Sequence, residues 1–547
     1  MLQDGQIIDE IIHDQEEMEG ERSAWEPIWK EVDQRVNPLS EGGFDQQSKG
    51  NARGLQIFDH TASLGLDRFT AAYTGMIIPR GERYHTLSTT DSALNDLPAM
   101  RAWLEYASDK LFAARYAPSA GFDPEANMNI RSLGSYGSAP FWIDVDADKG
   151  IYYKTHHLSE CYVKEDYRGR IDTNHRKFKM TVRQAKQQFG EQNLTPKMAK
   201  DLAARKLNVE HDVLHVVRPR QNRDPERLDF RRFAFESRYI ALGEKLQIRE
   251  SGYSTMPMAF SRYATAPRER YGRSPAIQVL GSIRTVNEMA KTILRAGHKA
   301  VDPPLLVPED GVLSQIKTMP GGINPGGLGF DGQPTVVPMV TGGNLPIGME
   351  LLNNEREPIR DAFLERVWSL VLERKDRMTA TEVLEITRMQ GMLLAPMASR
   401  QETEWLGVQI ERELDIHLRT GYILPPPPEF REAGAAVKVI YDNPLSRAAL
   451  AEEAIGFSRF VEMLGPLAAV VGPEVYDAID TIRAPRELGK SLAVRSKYMS
   501  SDDDIAAKRD ARAEQEQTQN ILAQMKTASE ATANLAQARS EETALAA

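Results

Sequence analysis

Apolar residues recur at helical spacing through the first 120 residues of the chain. One such face occupies the i, i+3, i+4, i+7 and i+11 positions of a helix and consists of Trp25, Ile28, Trp29, Val32 and Val36. The same periodicity predicts a second helix over about 54–78, which stops before Pro79, and a third over about 98–116. The beginning of the chain is therefore expected to be helical.

Between residues 141 and 263 the pattern changes to short runs typical of strands. We predict strands at 141–145, 151–154, 162–164, 177–180, 211–217, 232–242, 245–249 and 258–263. Two short helices interrupt them. One begins at a capping box of Thr181 and Gln184 and stops at Gly190, and the other begins at Thr195 and Pro196. The expected fold class is α+β and mainly helical.

The next segment predicts two helices that flank an insert. Ser274 is a favourable N-cap and Pro275 suits the first helical position, so a helix should run from there to about Lys299. Residues 301–350 hold ten glycines and eight prolines, which excludes a long regular element. Helical spacing resumes at Asn354. The layout is helix, compact insert, helix.

A basic break at residues 374–377 precedes a long predicted helix. That helix should kink at Pro396 and end at Gly421, before four consecutive prolines. A further helical domain is predicted over about 444–498. The chain thus returns to helical structure after its mixed first half.

The tail, residues 501–547, contains neither glycine nor proline and has high helix propensity. A seam with alternating intervals of four and three residues consists of Ile521, Met525, Ala528, Thr532 and Leu535. Such a helix is marginal alone in water, although copies packed around an axis would stabilise one another. A frayed tail and a bundle of helices from several copies both remain open.

Composition and charge narrow the class of protein. The chain has 547 residues, 41% hydrophobic and 27% charged, with a formal net charge of −10. Because non-specific DNA affinity comes from neutralising phosphates, an acidic chain is a poor DNA coat, although DNA can still pass it. The single cysteine, Cys161, excludes an intrachain disulfide and agrees with a reducing compartment. The run from Leu464 to Gly472 is too short to span a bilayer, so no membrane association is expected.

One stretch supports an alternative function. The Gly489-Lys490-Ser491 sequence matches a relaxed phosphate-loop pattern, which would make the chain a nucleotide-binding enzyme of DNA metabolism. A phosphate loop needs a preceding strand and several backbone N–H groups aimed at the phosphates. Here the segment before it, 475–482, has helical spacing, and Pro485 lacks an N–H. The sequence therefore favours a protein that is not an enzyme.

Two further patterns suggest common sites but lack their context. Gly327, Gly329 and Gly332 form a GxGxxG without the strand and helix of a dinucleotide fold, so a loop is expected. His211 and His215 have a metal-ligand interval, but they lie in a predicted strand with no third ligand nearby. We expect ordinary histidines, no metal and no cofactor.

Two basic features remain as candidate sites. The first is a charged face on the helix after Pro275, made of Arg284, Glu288, Lys291, Arg295 and Lys299. It is either a solvated face or a ring of charges at a subunit contact or channel wall. The second is the group Arg374, Lys375 and Arg377, which is either an exposed connection or a basic loop that points at a phosphate backbone.

In order and spacing, these features resemble the head-to-tail connecting (portal) proteins of podoviruses. The stretches that carry the resemblance are Arg270-Tyr271-Gly272-Arg273-Ser274-Pro275 with 280–287, Arg377-Met378-Thr379-Ala380-Thr381-Glu382-Val383, 64–81 and 495–504. The resemblance extends over nearly the whole chain.

The resemblance implies a portal fold with named parts. These are a wing at 1–270, a first stem helix at 271–300, a clip at 301–350, a second stem helix at 351–373, a tunnel loop at 374–379, a long wing helix with a following strand at 380–443, a crown at 444–500 and a C-terminal helical barrel at 501–547. The tunnel loop would place Arg374, Lys375 and Arg377 in the channel.

The resemblance also implies function and partners. Such a protein forms a dodecameric ring at one capsid vertex and carries double-stranded DNA during packaging, retention and ejection. Its expected partners are terminase, a tail adaptor protein, and the major capsid and scaffolding proteins. The expected location is the virion, with the host cytoplasm as the place of assembly.

Overall fold

A computed structural model describes most of the chain. The described residues are 4–40, 42–44, 53–146, 150–307, 316–329, 331–339, 345–367, 396–441, 456–457, 459–466, 472, 474–475, 479–480, 483–491 and 502–545. The chain divides into two compact units, Met1–Ala448 and Ala449–Ala547. The architecture mixes helices with antiparallel sheets, in agreement with the predicted fold class.

The first part of the chain is helical apart from one strand. Its elements are α1 (Asp4–Arg22), α2 (Glu26–Arg35), α3 (Thr61–Ile77), β1 (His85–Thr89), α4 (Ser92–Asp96), α5 (Pro98–Arg115) and α6 (Phe122–Tyr136). The predicted helix at 98–116 is confirmed by α5. The prediction that a helix begins near residue 54 is wrong, because α3 begins at Thr61 and residues 53–60 form turns ahead of it.

The middle of unit 1 contains two antiparallel sheets. Its elements are β2 (Ser138–Asp146), β3 (Gly150–Thr155), β4 (Cys161–Glu165), β5 (Ile171–Thr181), α7 (Val182–Phe189), α8 (Pro196–Ala203), β6 (Glu210–Pro219), β7 (Phe235–Ala241), β8 (Leu246–Tyr253) and β9 (Met258–Arg262). The strand orders are β3-β2-β9 and β4-β5-β6-β7-β8. The predicted strands are confirmed, with the start of β7 moved from residue 232 to Phe235 by a short 3-10 helix at Phe230–Arg232.

Helices cover the five-stranded sheet. Ile8 and Ile11 of α1 pack against Leu214 and Val216 of β6. A second cluster joins α7 and α8 to the sheet and contains Met180, Ala185, Phe189, Met198 and Val213. The predicted capping box begins α7: Thr181 accepts a hydrogen bond from the Gln184 backbone, and the Gln184 side chain accepts one in return. Successive side chains of β6 point to opposite faces of the sheet, and helices on both sides bury them.

The helix–insert–helix segment follows the sheets. Its elements are α9 (Pro275–Gln278), α10 (Leu280–Val301), β10 (Leu305–Leu306), β11 (Val337–Pro338) and α11 (Leu345–Ala362), and β10 pairs with β11. The predicted restart near Asn354 is too late. The helix begins nine residues earlier, at Leu345, and continues through Pro358. Pro346 is tolerated because it occupies the first turn, where a backbone N–H has no hydrogen-bond partner within the helix.

The last part of unit 1 returns to the main core. A π-helical segment (Glu402–Leu406) leads into α12 (Gly407–Arg419), followed by α13 (Pro428–Glu432) and β12 (Val437–Tyr441). The predicted helix end at Gly421 is confirmed: this glycine has φ +73° directly after the helix. Strand β12 lies where a strand was expected after the long wing helix, and it pairs with β1. The sequence pattern did not predict β1.

Unit 2 contains α14 (Arg483–Ser491) and α15 (Asp502–Leu545). At 1.5 Å per residue, the 44 residues of α15 extend over about 66 Å. One continuous helix over Asp502–Leu545 agrees with the high helix propensity of the tail. Across the described ranges, none of the helices combines the length and the apolar character that a membrane crossing requires.

Candidate functional site

The turn before α9 fixes the start of the helix pair α10–α11. The Ser274 hydroxyl accepts a hydrogen bond from the Ile277 backbone at 3.0 Å and donates one to the Ser135 carbonyl oxygen at 2.6 Å. Pro275 occupies the first turn. The predicted N-cap is confirmed, and the same hydroxyl ties the turn to α6.

Gly272 permits a backbone contact that no other residue would allow. A Cβ atom there would lie 2.0 Å from the Gly137 carbonyl oxygen. The Gly272 backbone also donates a hydrogen bond to the Ser138 hydroxyl at 2.8 Å. Tyr271 is buried, with its ring edge-on to Trp29 at 5.1 Å. The Tyr-Gly-Arg-Ser-Pro motif therefore fastens the helix pair to the core.

Asn287 ties α10 to the segment that precedes α3. Its side chain is buried, and its Oδ1 accepts hydrogen bonds from the Phe58 backbone at 2.7 Å and the Asp59 backbone at 3.3 Å. Its Nδ2 donates to the Gln56 carbonyl oxygen at 2.8 Å. These bonds hold residues 56–59 outside the helix, which explains why α3 begins late.

Asp59 links the same segment to α11. Its carboxylate accepts hydrogen bonds from Arg356 at 2.9 and 2.5 Å and from the Thr61 backbone at 2.9 Å. Burial pushes the pKa of Asp59 up, but the hydrogen bonds from Thr61 and Arg356 outweigh it and the pKa is lowered. Asn287, Asp59 and Arg356 form a clamp that attaches both helices to the base of α3. Sequence reasoning missed this clamp.

The two helices run antiparallel. Arg356 and Asn287 meet at Asp59, whereas farther along the pair Gly348 faces Ile293, whose Cδ1 would lie 3.6 Å from a Cβ at Gly348. Residue numbers thus rise along α10 as they fall along α11. An open groove of about 580 Å³ lies between the helices near Met289 and Ile293.

The predicted charged face divides into two halves. Near the clamp, Arg284 forms an ion pair with Glu31 of α2, and the hydrogen bond from Arg284 lowers the pKa of Glu31. Farther along the face, Lys291 pairs with Glu288 at 3.6 Å and lies 5.4 Å from the centre of the Phe58 ring. This half is engaged within the chain.

The other half of the charged face is exposed. Arg295 and Lys299 have no hydrogen-bond or ion-pair partner among the residues that the structure describes. On α11, Glu350 and Glu355 likewise have none within the described part of the chain. Arg295, Lys299 and Glu350 are exposed beyond the clamp, whereas Glu355 lies next to the clamp residue Arg356 and is half-buried.

An apolar stripe runs along α10 beside the charged face. Its residues recur at intervals of four and three and are Ile283, Asn287, Ala290, Leu294, Gly297 and Val301. Ile283 and Ala290 are buried, but Leu294 is 51% and Val301 is 88% exposed. The core covers the stripe near the clamp and leaves it exposed farther along.

The insert between the helices also exposes apolar side chains. Around the β10–β11 pair, Leu306 is 56% exposed, Met319 68% and Ile323 78%. No apolar residue of the insert falls in the buried class among its described parts, 302–307, 316–329 and 331–339. Exposed apolar surface of this extent marks an interaction region.

The second basic feature lies outside the described residues. Helix α11 ends at Ala362, after which Phe363 packs against Gly65 of α3 and Leu364 has φ +60°. The described chain continues to Val367 and resumes at residue 396. Arg374, Lys375 and Arg377 fall between these points, so their DNA-channel role remains a prediction.

The structure contradicts the phosphate-loop alternative. Gly489, Lys490 and Ser491 lie in the last turn of helix α14, not in a loop. Helical backbone N–H groups within the element are already bonded to carbonyl oxygens and cannot surround a phosphate. This removes the reason to assign nucleotide binding to the stretch.

The other weak motifs have structural partners. In the GxGxxG stretch, the Gly329 backbone donates to the Gln333 carbonyl oxygen at 2.8 Å, which closes a tight turn as expected for a loop. His215 is hydrogen-bonded to Ser237 at 2.9 Å and stacked on Tyr239, and His211 lies 3.1 Å from Asp201. Within the described ranges, no group of three or more metal-ligating side chains is assembled.

The tail seam is exposed where its side chains are described. Ile521 is 55% and Met525 65% exposed on α15. The side chains of Thr532 and Leu535 lie outside the described set. The apolar side of the helix therefore has no cover within this part of unit 2.

Comparison with known proteins adds a family. Residues 9–499 match the family described as bacteriophage head to tail connecting protein. The chain is 27% identical over 527 residues to a "probable portal protein" of Bordetella phage BPP-1, covering 94% of this chain and 93% of that protein. It is 22% identical over 537 residues to a portal protein of Salmonella phage epsilon15, covering 96% and 95%.

Solved structures give more distant similarities. One is a chain in the virion of a native gene transfer agent particle, with 11% identity and a TM-score of 0.37 over 78% of this chain and 89% of that one. Another is a chain in the neck of an empty gene transfer agent particle, with 12% identity and the same TM-score over 84% and 99%.

Proposed function

This chain belongs to the bacteriophage head-to-tail connecting protein family, and from that premise we propose that it is a portal protein, which forms the DNA channel at one capsid vertex. In this proposal twelve copies form a ring that serves packaging, retention and ejection of the genome. The chain has a structural role in the virion and no enzymatic activity of its own.

The helix pair carries the proposal. Helices α10 and α11 are clamped to the core through Asn287, Asp59 and Arg356, and beyond the clamp they expose apolar and charged side chains. A pair anchored at one end and exposed at the other suits a wall segment that neighbouring copies complete. We assign α9–α10 and α11 to the stem of the portal.

The remaining parts follow the chain order of the family. Residues 1–270 and 380–443 would form the wing, 374–379 the tunnel loop, 444–500 the crown and 501–547 a barrel of C-terminal helices. The clip, expected at 301–350, would be the part of that range between α10 and α11, because α11 begins at Leu345. The exposed apolar residues of the insert support its role as a docking surface for terminase and then for a tail adaptor. The major capsid and scaffolding proteins are the expected partners of the wing during assembly in the host cytoplasm.

Electrostatics supports a conduit over a tight DNA binder. Each copy contributes a formal charge of −10, so the ring as a whole repels DNA and allows it to slide. Arg374, Lys375 and Arg377 would supply local basic contacts to the phosphate backbone. Broad repulsion with a narrow basic contact permits both movement and retention.

The double substitution Arg374→Glu with Arg377→Glu tests the channel role. We expect rings of unchanged size by electron microscopy, together with reduced DNA packaging or retention. Normal packaging by this variant would remove the tunnel loop from the proposal.

Deletion of residues 501–547 tests the assignment of the tail. The ring should survive, because α15 has little apolar surface to bury in the core of its own chain. Loss of the ring in the deletion variant would show that the helix is needed for assembly.

A further inference from the structure

Two different apolar stripes are exposed on the helix pair. On α10 the stripe continues from its buried part to Leu294 and Val301. On α11 a second stripe, on a side turned away from the core, contains Ile347 and Leu351, which are 54% and 52% exposed. One copy thus presents two unlike surfaces.

Unlike surfaces on one molecule suit a head-to-tail contact. A two-fold dimer uses the same patch on both copies, whereas a closed ring joins one patch to a different patch on the next copy. The exposed stripes of α10 and α11 satisfy this requirement of a ring. A Cβ atom at Gly297 would meet no other atom within 4 Å, so this position leaves space for a neighbouring helix to approach.

The charges beside the two stripes are complementary. Arg295 follows Leu294 directly on α10, and Lys299 lies one turn further, both exposed. On α11, Glu350 is exposed beside the Ile347–Leu351 stripe. The basic side of one stripe therefore matches an acidic group beside the other.

The levels of the two stripes also agree. Gly348 lies opposite Ile293 within one copy, so Ile347 is level with Leu294 on the antiparallel partner helix. Rotation about a ring axis parallel to the helices keeps every residue at its own level. Ile347 of one copy therefore arrives at the height of Leu294 of the next, and Glu350 lies four residues, about 6 Å, from the level of Arg295.

We propose that Ile347 of the α11 stripe of each copy packs on Leu294 of the α10 stripe of the adjacent copy, with Arg295 paired to Glu350 across the contact. The inference rests on the proposed portal ring and deepens it by identifying the stem contact. It assigns Arg295 to the subunit interface and not to the channel wall.

Charge reversal tests the contact. The Arg295→Glu variant places two acidic groups together at each contact, and we expect a lower ring fraction at a protein concentration where the unaltered chain is assembled. Adding Glu350→Lys to the same chain should restore rings, because opposite charges again face each other. Mass photometry and electron microscopy give the ring fraction.

A matched control has the same charge change elsewhere. Arg183 is exposed on α7, so Arg183→Glu should leave the ring fraction unchanged. Loss of rings in this control would attribute the effect to net charge and overturn the inference.

The outcomes separate the inference from the function. If the Arg295→Glu variant assembles normally, or if the variant with both Arg295→Glu and Glu350→Lys stays unassembled, the proposed contact is wrong and the portal assignment stands. If the unaltered chain forms no rings under any assembly condition, the proposed function itself fails.

Discussion

The helix α10 has two halves with opposite surroundings. In the half near the clamp, Ile283 and Ala290 are buried by the core of the same chain, and Asn287 has its hydrogen bonds satisfied there. In the other half, Leu294 and Val301 continue the same stripe but are exposed. One sequence pattern thus serves two purposes, since the first half is completed by the chain itself and the second, in the proposed ring, by a neighbouring copy.

The contrast extends beyond this helix. The core of unit 1 buries charged groups together with their partners: Arg115 and Glu413 form a buried ion pair at 2.5 Å, and Tyr153 donates a hydrogen bond to the same carboxylate at 2.7 Å. The described parts of the insert and the outer half of the helix pair bury little. We therefore expect substitutions in the core to change the folding stability of one copy, and substitutions in the exposed half of the helix pair to change the assembly of copies.

The largest expected effect is in the core. Glu413→Ala leaves the Arg115 guanidinium buried without its carboxylate, and we expect the free energy of unfolding to fall by about 3–5 kcal/mol. Chemical denaturation of the unassembled chain measures it. The control Glu365→Ala removes the exposed pair with Arg68 and should cost about 1 kcal/mol or less. Equal effects would contradict the division between the two regions.

The second effect is a pH dependence confined to the core. Burial lowers the pKa of His157 to about 4 and the pKa values of His175 and His215 to about 3. Each is neutral when folded and gains a proton on unfolding below its ordinary pKa near 6.5. Stability should therefore be full above about pH 6.5 and fall as the pH drops toward about 4, by up to about 1.4 kcal/mol per pH unit for each histidine.

Denaturant midpoints between about pH 7.5 and 5 measure this dependence. His85, His156 and His417 also have pKa values lowered by burial and add to the slope. His215→Phe should reduce the slope by about one proton, because it removes one of these titrating groups. The stem contact pairs an arginine with a glutamate, so the ring fraction should not change over this range as long as the chain stays folded. An unchanged denaturant midpoint would contradict the buried-histidine account.

The smallest expected effect is that of Gly297→Ala, which should be stabilising in the unassembled chain and unfavourable in the ring. Gly297→Ala should stabilise the unassembled chain by about 0.5–1 kcal/mol, because alanine is the better helix former and no atom within 4 Å obstructs the new methyl group. In the ring the same methyl group lies in the proposed contact and should reduce assembly. Thermal unfolding and the ring fraction, measured on one preparation, check both signs. Stabilisation with unimpaired assembly would place Gly297 outside the contact.

Local patterns predicted most of the regular structure. Capping residues marked the starts of α7 and α9, since a cap depends only on residues three or four apart. Alternation predicted the strands of the large sheet for the same reason. Strand β1 was missed because its partner β12 is distant in sequence and its residues, His85–Thr89, are mostly polar.

The candidate site was predicted only in part. The charged face of α10 was found from helical spacing, but its division into paired and exposed halves depends on Glu31 and Phe58, which come from other elements. The clamp could have been suspected from Asn287, a polar residue within a regular apolar stripe. Its partner Asp59 is 228 residues away, so no local pattern identifies it.

Cysteine crosslinking tests the central claim most directly. The native Cys161 is buried and its pKa is raised to about 12, so it should not react. Under mild oxidation, the variant with Leu294→Cys and Ile347→Cys should form a ladder of covalent oligomers up to the ring. A mixture of the two single variants should stop at dimers, and each single variant alone should form none. A double variant that assembles into rings but remains monomeric in a non-reducing gel would contradict the account.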